Sequence, residues 1–400
     1  MPRTPPARRG PRPRQTTTAL SALLLAALAG CTDRPAPPRA DGTAPSATGG
    51  SARAPRPFTL VASGDVLPHN TVIEQARRDA GGNGYDFRPM LAGVRPVVSR
   101  ADLALCHMET VYGERGDYSG YPTFKSPPEI APALAATGYD SCSTASNHSL
   151  DDGTEGVRRT LDALDRAGVK HAGSARTEAE AGRPARLTAG GADIAHLAYT
   201  YGTNGIPLPL DRPWTVELID EQKIVDDARA ARRAGADVVV VSLHWGTEWQ
   251  TAPDEQQLTL GRALTASDTA GRPDIDLILG THAHVPQAYE KVNGTWIVYG
   301  MGDQIAGAMI NHAGFYDPRG NQGSIGRFTF SPPAKPSGRW EVTRAEFVPQ
   351  GMDTVAGRVV NLPEALRTDP GREDYRTALA DISAAVLGRG ARHDGLTMGR

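Results

Sequence analysis

Cysteine is nearly absent from this chain, with three in 400 residues, at positions 31, 106 and 142. Structural metal sites usually draw on cysteines, so this scarcity argues against one. Basic charge is not in excess: 43 Lys and Arg stand against 45 Asp and Glu, a formal charge of −2. That balance argues against nucleic acid as a partner. Beyond the first thirty residues no apolar run is long enough to cross a bilayer as a helix, and no internal repeat is visible. What remains is the mixture of a soluble globular protein, 39% hydrophobic and 22% charged. Its length holds one large domain or two.

The N-terminus reads as an export signal. Arg3, Arg8, Arg9, Arg12 and Arg14 precede the apolar run Ala19–Ala27, with no acidic residue among them. The run is too short for a mature membrane span. It closes on Leu28-Ala29-Gly30-Cys31, small residues directly before a cysteine. This resembles the lipobox of bacterial lipoproteins, in which the cysteine is lipidated and becomes the mature N-terminus; the alternative is an ordinary cleaved signal. Loss of residues 1–30 with their five arginines takes the formal charge from −2 to −7. Residues 31–56, rich in Pro, Ala, Gly and Ser, cannot bury a core and read as a flexible tether. The expected location is the extracytoplasmic face of the cell membrane, with lipid on Cys31 as the anchor.

From Phe58 onward, strand-like and helix-like stretches alternate. FTLVA (58–62), DLALC (102–106), Tyr139–Ala145, Ile194–Tyr199, DVVVVSL (237–243), Ile275–Leu279 and Trp296–Tyr299 read as strands. Asn70–Ala80, Phe87–Ser99, Glu129–Thr137, Gly153–Ala167, Asp220–Ala234 and Pro253–Ser267 read as helices. In Gly153–Ala167, Val157, Leu161 and Leu164 recur at helical spacing. The unbroken valine run at 238–241 is typical of a strand covered on both faces. After Gly326 come strand-like runs at 327–330 and 340–347, then fifty residues that are helical in part. The pattern predicts an α/β domain over 57–350 with helices on both faces of a central sheet, and a C-terminal extension over 351–400. Cys106 and Cys142 both lie in strand-like runs. Buried free thiols are the plainer reading, although an export compartment permits a disulfide if the strands are neighbours.

In such folds chemistry gathers at the carboxyl ends of strands. FTLVA runs into Ser63-Gly64-Asp65, with His69 four residues further on. DLALC runs into His107-Met108-Glu109-Thr110, and the strand through Cys142 into Asn147-His148-Ser149-Leu150-Asp151. DVVVVSL is followed by His244-Trp245-Gly246-Thr247-Glu248, and IDLILG by Thr281-His282-Ala283-His284. Each residue alone has an ordinary explanation, since Asp after Gly is a common turn and Asn-His a common helix cap. Five strand ends that all deliver Asp, Glu, Asn or His predict a site for one or two divalent metal ions, Mn, Fe or Zn. On an extended segment the alternation of His282 and His284 puts both rings on one side.

Taken in order, Gly-Asp, x-x-Glu-Thr, Asn-His-x-x-Asp, His-Trp-Gly-x-Glu, Gly-x-His-x-His and Tyr-Gly-x-Gly resemble the CapA family. These are poly-γ-glutamate capsule biosynthesis proteins, a branch of the calcineurin-like metallophosphoesterases. The resemblance runs from about Phe58 to Phe330; the combination is specific although the single pieces are not. It implies a four-layer α/β/β/α sandwich with two metals among the strand-end loops. It further implies Asp65 on the first metal, Glu109 in the bridging position, Asn147, His244 and His282 on the second, and His284 returning to the first. His148 would be the general acid beside the leaving group, with Asp151 orienting it.

The chain departs from the family pattern in three places. Leu67 stands where calcineurin-like enzymes carry a histidine, which weakens the first metal position; His69 is the nearest substitute. His107 replaces the asparagine of the family's Asn-Leu-Glu, and Asp303 that of its Gly-Asn. Both are candidates for the metal or for the shell behind it, where Asp151 and Glu248 are candidates to fix imidazole tautomers. Lys125, Asn204 and Trp245, with Trp249 nearby, are candidate substrate contacts, against the default of a solvated lysine and packing tryptophans. Two functions fit. One is a lipid-anchored extracytoplasmic metal-dependent hydrolase acting on a phosphoester or on an anionic envelope polymer such as poly-γ-glutamate. The other is a non-hydrolytic assembly or export factor that holds the polymer through its metal site, beside membrane synthase subunits.

Overall fold

The computed structural model describes residues 54–335 and 338–400; the export signal, Cys31 and most of the tether lie outside the described residues. Two sheets carry the fold. The first has nine strands, in the order Arg358–Asn361, Glu341–Asp353, Gln322–Ser331, Phe58–Val66, Leu103–Met108, Ser141–Ser143, Lys170–Ala172. Asp303–Ile305 adds to Phe58–Val66 and Thr397–Met398 to Glu341–Asp353. The second has six, in the order Tyr289–Val292, Thr295–Val298, Leu277–Thr281, Val238–His244, Ala192–Thr200, Ala185–Ala189. Phe58–Val66, Leu103–Met108 and Ser141–Ser143 in the first sheet, and Leu277–Thr281, Val238–His244 and Ala192–Thr200 in the second, run parallel to their neighbours in that order. Parallel neighbours need crossover connections, and here these supply the helices of the two outer layers.

The alternation of side chains along each strand feeds separate cores. Leu60 and Ala62 of the first sheet meet Val238, Val240, Leu277 and Leu279 of the second in one inter-sheet core. Val61 and Val66 turn the other way, into a cluster with Val72, Leu91, Ile130 and Leu134 of the helices over the first sheet. Val239 and Val241 likewise turn outward to Ile224 and Ala228 of Glu221–Arg233 and Leu260 and Leu264 of Glu255–Ala266. The valine run is therefore covered on both faces, and the architecture is an α/β/β/α sandwich. His196, fully buried, lies 3.1 Å from Ser141 Oγ of the opposite sheet and 2.9 Å from Ser242 Oγ of its own. Residues beyond 350 pack on the same body: Arg358–Asn361 pairs with Glu341–Asp353, and Ile382 and Val386 of the helix Glu373–Leu387 enter the inter-sheet core. No helix among the described residues is long and apolar enough to cross a membrane.

Local differences from the sequence reading have local causes. Phe87–Ser99 is two one-turn helices, Arg88–Leu91 and Arg95–Val98, each opened by a proline in its first turn; proline starts a helix well and cannot continue one. Cys106 and Cys142 are not free thiols. They stand opposite each other in register on neighbouring parallel strands, 4.4 Å apart at Cα, and form a disulfide.

Candidate metal centre

The strand Phe58–Val66 runs past FTLVA because Gly64 lets it lie against Gly302: a Cβ at Gly64 would sit 1.7 Å from the Gly302 carbonyl oxygen. Asp65 N donates to that oxygen at 3.0 Å. Asp65 is thereby set between His107 and Asp303, its register partners on the two adjoining strands. Glu109 follows His107, and Asn147 lies in the loop after Ser141–Ser143. From the second sheet come His244, the last residue of Val238–His244, and the histidines after Leu277–Thr281. That segment is not extended. His282 and His284 hold φ of 92° and 58°, so a turn rather than strand alternation aims their rings. Non-glycine residues in this region are uncommon and strained, a feature that concentrates at functional sites.

The side chains converge. Asp65 Oδ1 lies 3.8 Å from His107 Nε2, while Oδ2 lies 3.8 Å from His284 Nδ1 and accepts from His282 N at 3.1 Å. Glu109 Oε1 is 3.8 Å from His244 Nε2 and 3.9 Å from His284 Nε2, facing ligands from both halves of the cluster. Asn147 Oδ1 is 2.9 Å from His244 Nε2, and Asp303 Oδ1 is 2.9 Å from His284 Nδ1. A Glu248 carboxylate oxygen stands within 4.8 Å of ligand nitrogens of His282 and His284. All six residues expected as metal ligands are thus together, and His107 and Asp303 join them.

A cation fits this donor set. Asp65 Oδ1, His107 Nε2, both Glu109 oxygens, His282 Nδ1 and Asp303 Oδ2 are buried without a hydrogen-bond partner. Buried polar atoms are almost always paired, so six unpaired ones in a single cluster mark a place for a ligand. The electrostatics agree. Burial, reinforced by Asp303, pushes the Asp65 carboxyl well above the usual range, and burial raises Glu109 and Asp303 as well. Burial drives His107 down to about 3 and His244 and His282 well below the ordinary histidine value, so these imidazoles are neutral. Burial opposes a proton on His284, but Asp303, Glu109 and Asp65 overcome it and raise its pKa. Neutral imidazoles beside crowded carboxylates are the donors a divalent cation takes. The rings are held from behind by His107 Nδ1 to Ser143 Oγ at 2.7 Å and His244 Nδ1 to Thr281 Oγ1 at 3.0 Å. Both hydroxyls are in-register partners of their histidines; only knowledge of strand pairing exposes them.

His148 stands outside the cluster, in the wall of an adjoining cavity of about 690 Å³. Its Nδ1 lies 2.7 Å from Asp151 Oδ2, and its ring meets Phe124 edge-on, centroids 4.7 Å apart. Asn204 lines the same cavity and accepts from Asn147 Nδ2 at 3.2 Å. His69 is a wall residue, not a member of the cluster: its Nδ1 faces the carbonyls of Ala306 and Leu67 at 3.0 and 3.2 Å. Leu67 packs with Phe124, Ala306 and Met309, and the additional imidazole beside Asp65 is that of His107. Two expected substrate contacts are misplaced. Lys125 pairs with Asp117 away from the cavity, and Trp245 is fully buried in the outer core of the second sheet, donating to Tyr299 O at 2.9 Å. Trp249 does line the cavity. Tyr201, in the loop that carries Asn204, has its ring 4.5 Å from that of His282. Sequence reasoning passed over His312, whose Nε2 is 3.4 Å from Glu248.

Comparison with known proteins places this geometry in a family. A "Probable polyglutamine synthesis accessory protein" of Mycobacterium tuberculosis is 29% identical over 216 residues, 51% of this chain and 55% of that protein. The capsule biosynthesis protein CapA of Bacillus anthracis is 23% identical over 254 residues, 62% of this chain and 59% of its own. The alignments span little more than half the length of these relatives. Among solved structures, a calcineurin-like phosphoesterase from Bacillus subtilis is 14% identical, with a TM-score of 0.40, over 82% of this chain and 99% of that one. The model of the family "Bacterial capsule synthesis protein PGA_cap" matches residues 59–308, a span that holds every residue of the cluster from Asp65 to Asp303. The chain belongs to the bacterial capsule synthesis protein family, PGA_cap.

Proposed function

We propose that this chain is a metal-dependent hydrolase of the metallophosphoesterase type. In this reading it acts at the outer face of the cell membrane in the making of an anionic envelope polymer such as poly-γ-glutamate, beside membrane synthase subunits. The Leu28–Cys31 stretch and the tether support lipid anchoring, and the names of the relatives support the polymer. The hydrolytic part is carried by His148. A cluster kept only to hold a polymer has no need of an imidazole outside it, oriented by a carboxylate at 2.7 Å and set in the wall of the adjoining cavity. With Asp151 on Nδ1, His148 is arranged to deliver a proton from Nε2 to a leaving group. Asn204 fixes the amide of Asn147, and Ser143 and Thr281 fix the rings of His107 and His244. A divalent cation held by Asp65, Glu109, Asn147, His244, His282 and His284 would supply Lewis acidity at the scissile group.

The test is the His148→Ala variant, assayed on phosphoester and γ-glutamyl substrates with metal content measured in parallel. Retained metal with turnover down by about 10²–10⁴ is the expected result. Unchanged turnover would remove His148 from the chemistry. Metal uptake without turnover on either bond class in the unaltered protein would favour the polymer-holding assembly role.

A further inference from the structure

We infer that the substrate of this site carries an apolar or aromatic group next to the reacting bond, rather than a run of repeating negative charge. The inference rests on the hydrolytic reading above and narrows its substrate. The cavity beside the cluster has the size of sites that enclose a small organic ligand. Leu67, Phe124, Met309 and Trp249 form a single apolar cluster along it. Exposed apolar side chains also line it, Tyr121 at 74% and Ile310 at 54% accessible, and Tyr201, 41% accessible, stands close to the histidines. Large apolar side chains gathered in water on separate loops at one opening mark a place where something binds.

The charges point the same way. Among the described residues lining the cavity none is Lys or Arg, and Glu248 adds a carboxylate. The cations closest in sequence are engaged elsewhere, Lys125 with Asp117 and Arg319 with Asp317. A chain bearing a carboxylate on every unit is recognised by cations spaced along a groove. Beyond the metal cluster this cavity offers it no lysine or arginine, only Asn204, Asn311 and the imidazoles of His69, His148 and His312 beside the apolar wall. The fitting ligand has a single anionic or polar head at the cluster and an apolar or aromatic portion against Phe124 and Trp249. His148, edge-on to Phe124, places that portion on the leaving side. In hydrolysis water then supplies its hydroxyl to the head fragment, and the proton passes through His148 to the oxygen or nitrogen of the apolar fragment.

The experiment is calorimetric titration of the metal-loaded full chain with methylphosphonate, benzylphosphonate and a γ-glutamate oligomer. Benzylphosphonate should bind about tenfold tighter than methylphosphonate or better, as burial of an aromatic ring predicts, and the oligomer more weakly than benzylphosphonate. Trp249→Ala and Ile310→Asp should bring the benzyl-to-methyl ratio toward one; Ile310 is more than half exposed, so its substitution leaves the fold intact. Equal affinity for the two phosphonates, or tighter binding of the oligomer, overturns the inference alone. If the metal-loaded protein binds none of the three, the hydrolytic reading fails and this inference with it.

Discussion

At the scale of single residues, Asp65 sets the cluster apart from an ordinary structural network. It is wholly buried, its Oδ1 has no partner, and Asp303 stands beside it. Without a cation this arrangement opposes folding. Asp65→Asn removes the charge at nearly constant volume, so it should stabilise the metal-free protein by about 1–3 kcal/mol while abolishing metal uptake. Thermal unfolding in chelator, with metal analysis of both proteins, checks the two effects together. Most residues of the cluster were legible in the sequence because each follows an apolar run that identifies a strand end. Lys125 was not, because nothing in a loop sequence says which way its side chain leaves. Trp245 could have been read correctly: it follows His244, and neighbours on a strand face opposite sides. With the histidine turned to the cluster, the tryptophan falls into the outer core.

At the scale of elements, the site depends on how closely strand ends approach. Gly64 is the tightest such contact, with no room for a Cβ against Gly302. Gly64→Ala should push the two backbones apart, cost about 1–3 kcal/mol or more, and weaken metal binding by displacing Asp65 from Asp303. Urea unfolding and a metal titration measure both. The Gly-Asp pair was visible in the sequence, but its reason lies in a partner more than two hundred residues away. For the same reason the strands Lys170–Ala172 and Asp303–Ile305 were missed. Three residues carry too little periodicity to be seen, and pairing with a neighbour makes them strands. The turn at His282 and His284 was likewise hidden, since two alternating histidines look the same in a strand and in a bend.

At the scale of the molecule, the sandwich holds polar groups between its sheets under conditions that pH can probe. Burial holds His196 neutral, its pKa pushed down to about 4. The unfolded chain takes that proton near pH 6.5 and the folded chain near 4, so stability is complete above 6.5 and is lost as pH falls through this window. The loss from this residue is about 3 kcal/mol. His196→Gln should flatten the acid limb of a Tm-against-pH curve between pH 7 and 4. The layered α/β plan was legible from the alternation of strands and helices. The division into two sheets came only through the family resemblance, because local pattern by itself does not say which strands pair. The central claim is that the buried carboxylates and imidazoles form a metal site. The most direct test is metal content per chain, by mass spectrometry, after exposure to Mn²⁺, Fe²⁺ or Zn²⁺ and desalting, for the unaltered protein and for His282→Ala. At least one tightly held equivalent is expected, lost or sharply reduced in the variant while its circular dichroism is unchanged. No retained metal from any of the three ions, or equal retention by His282→Ala, would contradict it.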